Sequence, residues 1–114
     1  MAQSFDRNAA QTWAADPDYQ FATVAAGVTD QALGAGGGAI GDYLKGILII
    51  PGTTSPGGVS IEHASTNIVL FVGGASSVPG LAPIWVPLGI RSTLGGWEVT
   101  TGANVTAIAV GTFT

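Results

Sequence analysis

The chain has 114 residues with three Lys or Arg, seven Asp or Glu and no Cys, for a formal charge of −4. Charged residues make up only 9% of it, against roughly 25% in an ordinary globular domain, and three basic groups cannot neutralise the phosphates of a nucleic-acid partner. The lack of Cys excludes disulfides and thiolate chemistry, and one His with one Lys leaves little acid–base chemistry near neutral pH.

Residues 1–18 differ from the rest and are predicted to be an extended arm that packs on a neighbour or, in the alternative, a frayed terminus. Ala, Gln, Asn and Asp dominate there, with Phe5 and Trp13 as isolated aromatics. Asp16-Pro17 stops any helix over residues 8–15, a stretch too short to be stable alone. Beyond the arm, residues 19–114 are cut into short pieces by Gly and Pro clusters such as Gly36-Gly37-Gly38, Pro51-Gly52, Gly73-Gly74 and Gly95-Gly96. Short β-rich pieces between such breaks indicate a sandwich or barrel.

Parity assigns the pieces. Residues 19–25 place Tyr19, Phe21 and Thr23 on one face, and a short strand is expected near residues 31–33. Ile47-Leu48-Ile49-Ile50 ends a strand suited to cover on both sides. Val59 and Ile61 alternate with Ser60 and Glu62 as in a half-buried strand, while Ile68-Val69-Leu70-Phe71-Val72 is apolar on both faces. Ile84, Val86, Leu88 and Ile90 share one face and Trp85 takes the other. Pro83 and Pro87 mark that segment as an edge or an irregular strand. Trp97 and Val99 oppose Glu98 and Thr100, with Trp97 expected in the core, and residues 104–113 form a long last strand. The total of about eight predicts an all-β, antiparallel, jelly-roll-like sandwich with an N-terminal arm.

No membrane span is expected, since the longest apolar runs are four or five residues where a spanning helix needs roughly 20. No signal peptide is read at the start, because Asp6 and Arg7 interrupt it without an apolar region to follow.

Four chemical motifs fail in context. Gly36-Gly37-Gly38-Ala39-Ile40-Gly41 satisfies G-x-G-x-x-G, but residues 42–51 are too glycine-broken and β-branched for the helix that would hold a pyrophosphate. A loop is expected there, and no cofactor. His63 is the only imidazole, and Glu62 should point to the opposite face of the same strand, so His63 is read as structural. Asp16 and Asp18 lack the remainder of a calcium loop, and Asp30 and Asp42 are read as isolated, so no metal is expected. No serine has a setting for activation, and no enzyme is expected.

Seven of the ten charges lie in the first 45 residues, and the last 69 hold only Glu62, Arg91 and Glu98. So neutral a surface is explained if other subunits cover it. The candidate interface residues are Phe5, Arg7, Trp13, Tyr19 and Trp85, and a homo-oligomer (dimer or trimer) is expected. Trp85 is read as core or cover of a second sheet face, as a subunit-contact anchor or, last, as a sugar-stacking platform.

The run Phe21 to Gly34 (FATVAAGVTDQALG) and Gly41-Asp42-Tyr43-Leu44 resemble a recurrent opening of small structural proteins of tailed bacteriophages. Val86-Pro87-Leu88-Gly89-Ile90-Arg91-Ser92 and Trp97-Glu98-Val99-Thr100-Thr101-Gly102 resemble later segments of the same proteins. The resemblance covers residues 21–114 and excludes the arm. It implies a β-rich virion component, a capsid decoration (cement) protein whose partner is the major capsid protein, with neck or tail placement as the alternative.

Overall fold

The computed structural model describes residues 19–114, which form eight strands and, among the described residues, no helix. The strands are β1 (Gln20–Val24), β2 (Gln31–Ala32), β3 (Tyr43–Pro51), β4 (Val59–His63), β5 (Thr66–Phe71), β6 (Ile84–Arg91), β7 (Trp97–Thr101) and β8 (Val105–Thr112). They build two four-stranded sheets, ordered β1-β8-β3-β6 and β2-β7-β4-β5. Among the described residues no helix is long and apolar enough to cross a membrane.

Every strand pairing is antiparallel, and four of the pairings are nested: β4 with β5, β3 with β6, β2 with β7, β1 with β8. The chain is thus one long double ribbon that starts at the Ala64-Ser65 turn and wraps into two facing sheets. That is the jelly roll. Two further pairings, β3 with β8 and β4 with β7, knit neighbouring turns of the ribbon together.

The core lies between the sheets, filled by alternate residues as the pleat requires. Leu44, Ile47, Ile49, Ala107 and Ala109 come from the first sheet, and Val59, Ile61, Trp97 and Val99 from the second. Along β8 the order is strict: Val105, Ala107, Ala109 and Gly111 face in, and Thr106, Ile108, Val110 and Thr112 face out. Trp97 is in the core, and its indole Nε1 donates to the Asp42 carbonyl at 3.1 Å.

Pro87 lies in β6, and β6 is an edge strand, where a missing N–H does no harm. β5 is also an edge strand: Val69 faces out, and even Ile68, paired with buried Ile61, stays 39% exposed. One expectation needs correction. β3 is covered on its inner side only. Its outward Leu48 and Ile50 lie on the outer surface of the sheet, with consequences described next.

Candidate interaction surface

The outer face of the β1-β8-β3-β6 sheet is apolar. Strand register lays it out in rows: Phe21, Val110, Gly46 and Pro87 in one, Thr23, Ile108, Leu48 and Trp85 in the next. An antiparallel sheet with a solvated face normally carries polar side chains there. Here Thr23 is the one polar side chain in the two rows, and Phe21 is 74% exposed.

Trp85 is seated on this face by a glycine. A Cβ placed on Gly46 would stand 2.5 Å from the indole Cζ2 and 2.6 Å from Cη2, so only glycine lets the ring lie over the strand. The ring is 43% exposed. A β-bulge between Leu44 and Gly46 inserts Lys45, which interrupts the in–out alternation and keeps Lys45 exposed beside Gly46.

The same face carries the cations of the described residues at one end. Tyr19 stacks on Tyr43 with ring centroids 6.1 Å apart. Lys45 Nζ lies 4.6 Å from the Tyr19 centroid, and Arg91 Cζ lies 5.3 Å from that of Tyr43. The negative faces of the rings attract both cations, and Arg91 Nη1 also donates to the Gly41 carbonyl at 3.1 Å.

The opposite outer face, on the β2-β7-β4-β5 sheet, has the complementary character. Glu62 of β4 is the cross-strand neighbour of Glu98 of β7. Asp30 joins them through Thr100, whose hydroxyl accepts from the Asp30 N–H at 2.9 Å and donates to Asp30 Oδ1 at 3.1 Å. The three carboxylates offer oxygens that all lie within 4.8 Å of one another. Partial desolvation, with the negative charges and hydrogen bonding of Asp30 and Glu98, raises the Glu62 pKa above its ordinary value. Asp30 is therefore not isolated, which corrects the sequence reading. Beside the acids, Val69, Phe71 and Val72 line an apolar hollow of ≈ 460 Å³ together with Ser60 and Thr100.

Asp42 is not isolated either. Its Oδ2 accepts from the Ala39 and Thr114 N–H groups at 3.0 and 3.1 Å, and its Oδ1 from the Thr114 hydroxyl at 2.6 Å. Burial works against its charge, but these hydrogen bonds outweigh burial and hold its carboxyl below the ordinary aspartate value. Asp42 is a clamp between β3 and the segment after β8.

The glycine motif folds as the loop between β2 and β3. Gly38 has φ +87°, and a Cβ on it would stand 2.7 Å from the Gly96 Cα, so backbone proximity explains it, whereas Gly37 and Gly41 are called for by positive φ (+87° and +95°) in open space. His63 packs against Trp97, ring centroids 5.0 Å apart, and its Nε2 accepts from the Thr93 N–H at 3.1 Å. An Nε2 that accepts leaves the proton of the neutral ring on Nδ1.

Of the residues singled out from sequence, Tyr19 and Trp85 both lie on the apolar face, while Phe5, Arg7 and Trp13 lie outside the described residues. Sequence reasoning missed Tyr43, Lys45 and Arg91 as partners on this face. Nothing local in the sequence tied Tyr43 to Tyr19 or marked the bulge. Comparisons with protein-family models, curated proteins and solved structures return no match.

Proposed function

We propose that this chain is a non-enzymatic structural protein of a virus particle, a capsid decoration (cement) protein on the capsid exterior, assembled in the host cytoplasm. Its partners are the major capsid protein, whose subunits it bridges, and itself, as a homo-oligomer. The observation that carries this reading is the apolar outer face of the β1-β8-β3-β6 sheet, with Trp85 and Phe21 at its surface. A face of this kind on so weakly charged a chain favours protein contact over solvent. The jelly roll is compatible with the role but does not choose it, since the same fold serves capsids and lectins alike. Shallow contacts repeated by symmetry give avidity without a deep pocket.

The arm joins this reading through Phe5, Arg7 and Trp13, which reach a neighbouring subunit. Among the described residues the buried core runs from Val24 to Ala109, with Ala22 and Phe113 packed against it, and removal of residues 1–18 is expected to leave a folded domain that decorates particles poorly. The test is imaging and mass spectrometry of particles from the source that encodes the chain, with and without its gene. Density on the shell that disappears with the gene supports the reading; particles that never contain the protein overturn it. The carbohydrate-binding or tail-associated alternative draws on the half-exposed Trp85 ring, but Leu48 and Pro87 beside it supply none of the polar groups that orient a sugar.

A further inference from the structure

We propose that the apolar face of one copy seats on the acidic face of a second copy, with Trp85 entering the Val69–Phe71–Val72 hollow and Lys45 meeting the Asp30–Glu62–Glu98 carboxylates. This deepens the self-association part of the reading above and rests on that part alone.

Charge is the first argument. The described residues hold six charged side chains. Asp42 is buried and satisfied within the fold, and the other five are sorted by sign onto opposite faces. Lys45 and Arg91 lie over tyrosines on one face, and the three mutually repelling carboxylates crowd together on the other. A second copy brings the missing cation to the acids at the same time as it covers the apolar surface. Complementary potentials of this kind set orientation and suppress wrong pairings.

Spacing is the second argument. On the apolar face, Trp85 is the neighbour of Leu48, three residues along β3 from Lys45 and one strand across. On the acidic face, Val69 is the neighbour of Ser60, two residues along β4 from Glu62 and one strand across. With a rise of ~3.3 Å per residue and ~4.8 Å between strands, the separations are ~11 Å and ~8 Å. The flexible lysine stem spans the difference. The Trp85–Lys45 pair on one face thus has a hollow-to-acid pair of similar dimension on the other.

Area sets the strength. Four strands of five to nine residues present a footprint of roughly 500 Å², below the ~800 Å² per partner of a standard interface. Association is therefore concentration-dependent. Because the two patches are different, the contact is head-to-tail, and it closes into a ring or runs on as a filament according to the rotation between copies.

The test is sedimentation velocity of the full chain over a range of concentrations, with circular dichroism to verify folding. Wild type should associate as concentration rises. Lys45→Glu and Glu62→Lys should each weaken self-association roughly tenfold or more, and Trp85→Ala should do the same. An equimolar mixture of the two charge variants should associate again, since each contact between unlike copies pairs opposite charges. Wild-type association that survives Glu62→Lys overturns this contact while leaving self-association intact, and loss in Lys45→Glu and Trp85→Ala alone would indicate pairing of two apolar faces instead. A wild type that stays monomeric throughout overturns self-association and this contact together. The charge variants lie on the surface and decide the matter even if Trp85→Ala does not fold.

Discussion

Two carboxylates with opposite perturbations show how much of this molecule's electrostatics is local. Asp42 has its pKa lowered, so its contribution to stability is complete above the unfolded value and fades as pH falls through the lower folded value. Below about pH 4 the wild type should therefore lose stability more steeply than Asp42→Asn, as read from urea midpoints at a series of pH values. At neutral pH, Asp42→Ala should cost about 2–3 kcal/mol, because it strands the Ala39 and Thr114 donors. Glu62 behaves in the opposite sense. Its pKa is raised, so its ionised form opposes folding above the folded value and that opposition is relieved as pH drops. Glu62→Gln should be more stable than wild type at pH 7, and the advantage should shrink on acidification towards the ordinary glutamate range; an advantage that does not change with pH would show that crowding with Asp30 and Glu98 is not its cause. Neither environment was legible in sequence. Asp30, Glu62 and Glu98 are more than thirty residues apart along the chain and meet only through the β4–β7 pairing and the Thr100 hydroxyl.

At the scale of elements, legibility followed periodicity. β4 and β7 alternate so cleanly that burial is readable from spelling alone, and Pro83 with Pro87 marked β6 as an edge or irregular strand, whereas β8 buries Ala107, Ala109 and Gly111 and turns Ile108 and Val110 outward, which spelling does not show. Runs that are apolar at every position carried less information, because periodicity cannot tell a strand covered twice from an edge strand or from an outer face used for contact. β3 was misjudged for that reason. The bulge at Lys45 was equally invisible, although it arranges the whole Trp85 seat. Replacement of Gly46 by Ala should therefore unseat the indole: the added methyl would overlap Cζ2 and Cη2 and would also stand 2.7 Å from the Val86 carbonyl oxygen, so the ring and the β3–β6 backbone must both give. Tryptophan emission should shift to the red and the thermal transition should fall by several degrees, corresponding to about 1–3 kcal/mol for an overpacked site. An unchanged spectrum would mean that Trp85 does not rest on Gly46 in solution.

For the whole molecule, the nested pairing orders the events by which the ribbon assembles. The β4–β5 turn closes with Ala64 and Ser65 alone between the paired residues His63 and Thr66, whereas β1 and β8 unite segments from opposite ends of the described residues. Closing a longer loop costs more entropy, and contacts distant in sequence form slowly. Assembly should accordingly zip outward from the innermost hairpin, with β1 added last. Under native conditions the amide protons of β1 should exchange with solvent deuterium well before those of β3 and β4, because β1 holds the sheet by a single neighbour while β3 has two. The strand that is slowest to arrive and quickest to leave is also the one that carries Phe21 onto the apolar face, so docking of a second copy there would act as a latch on the last step of folding.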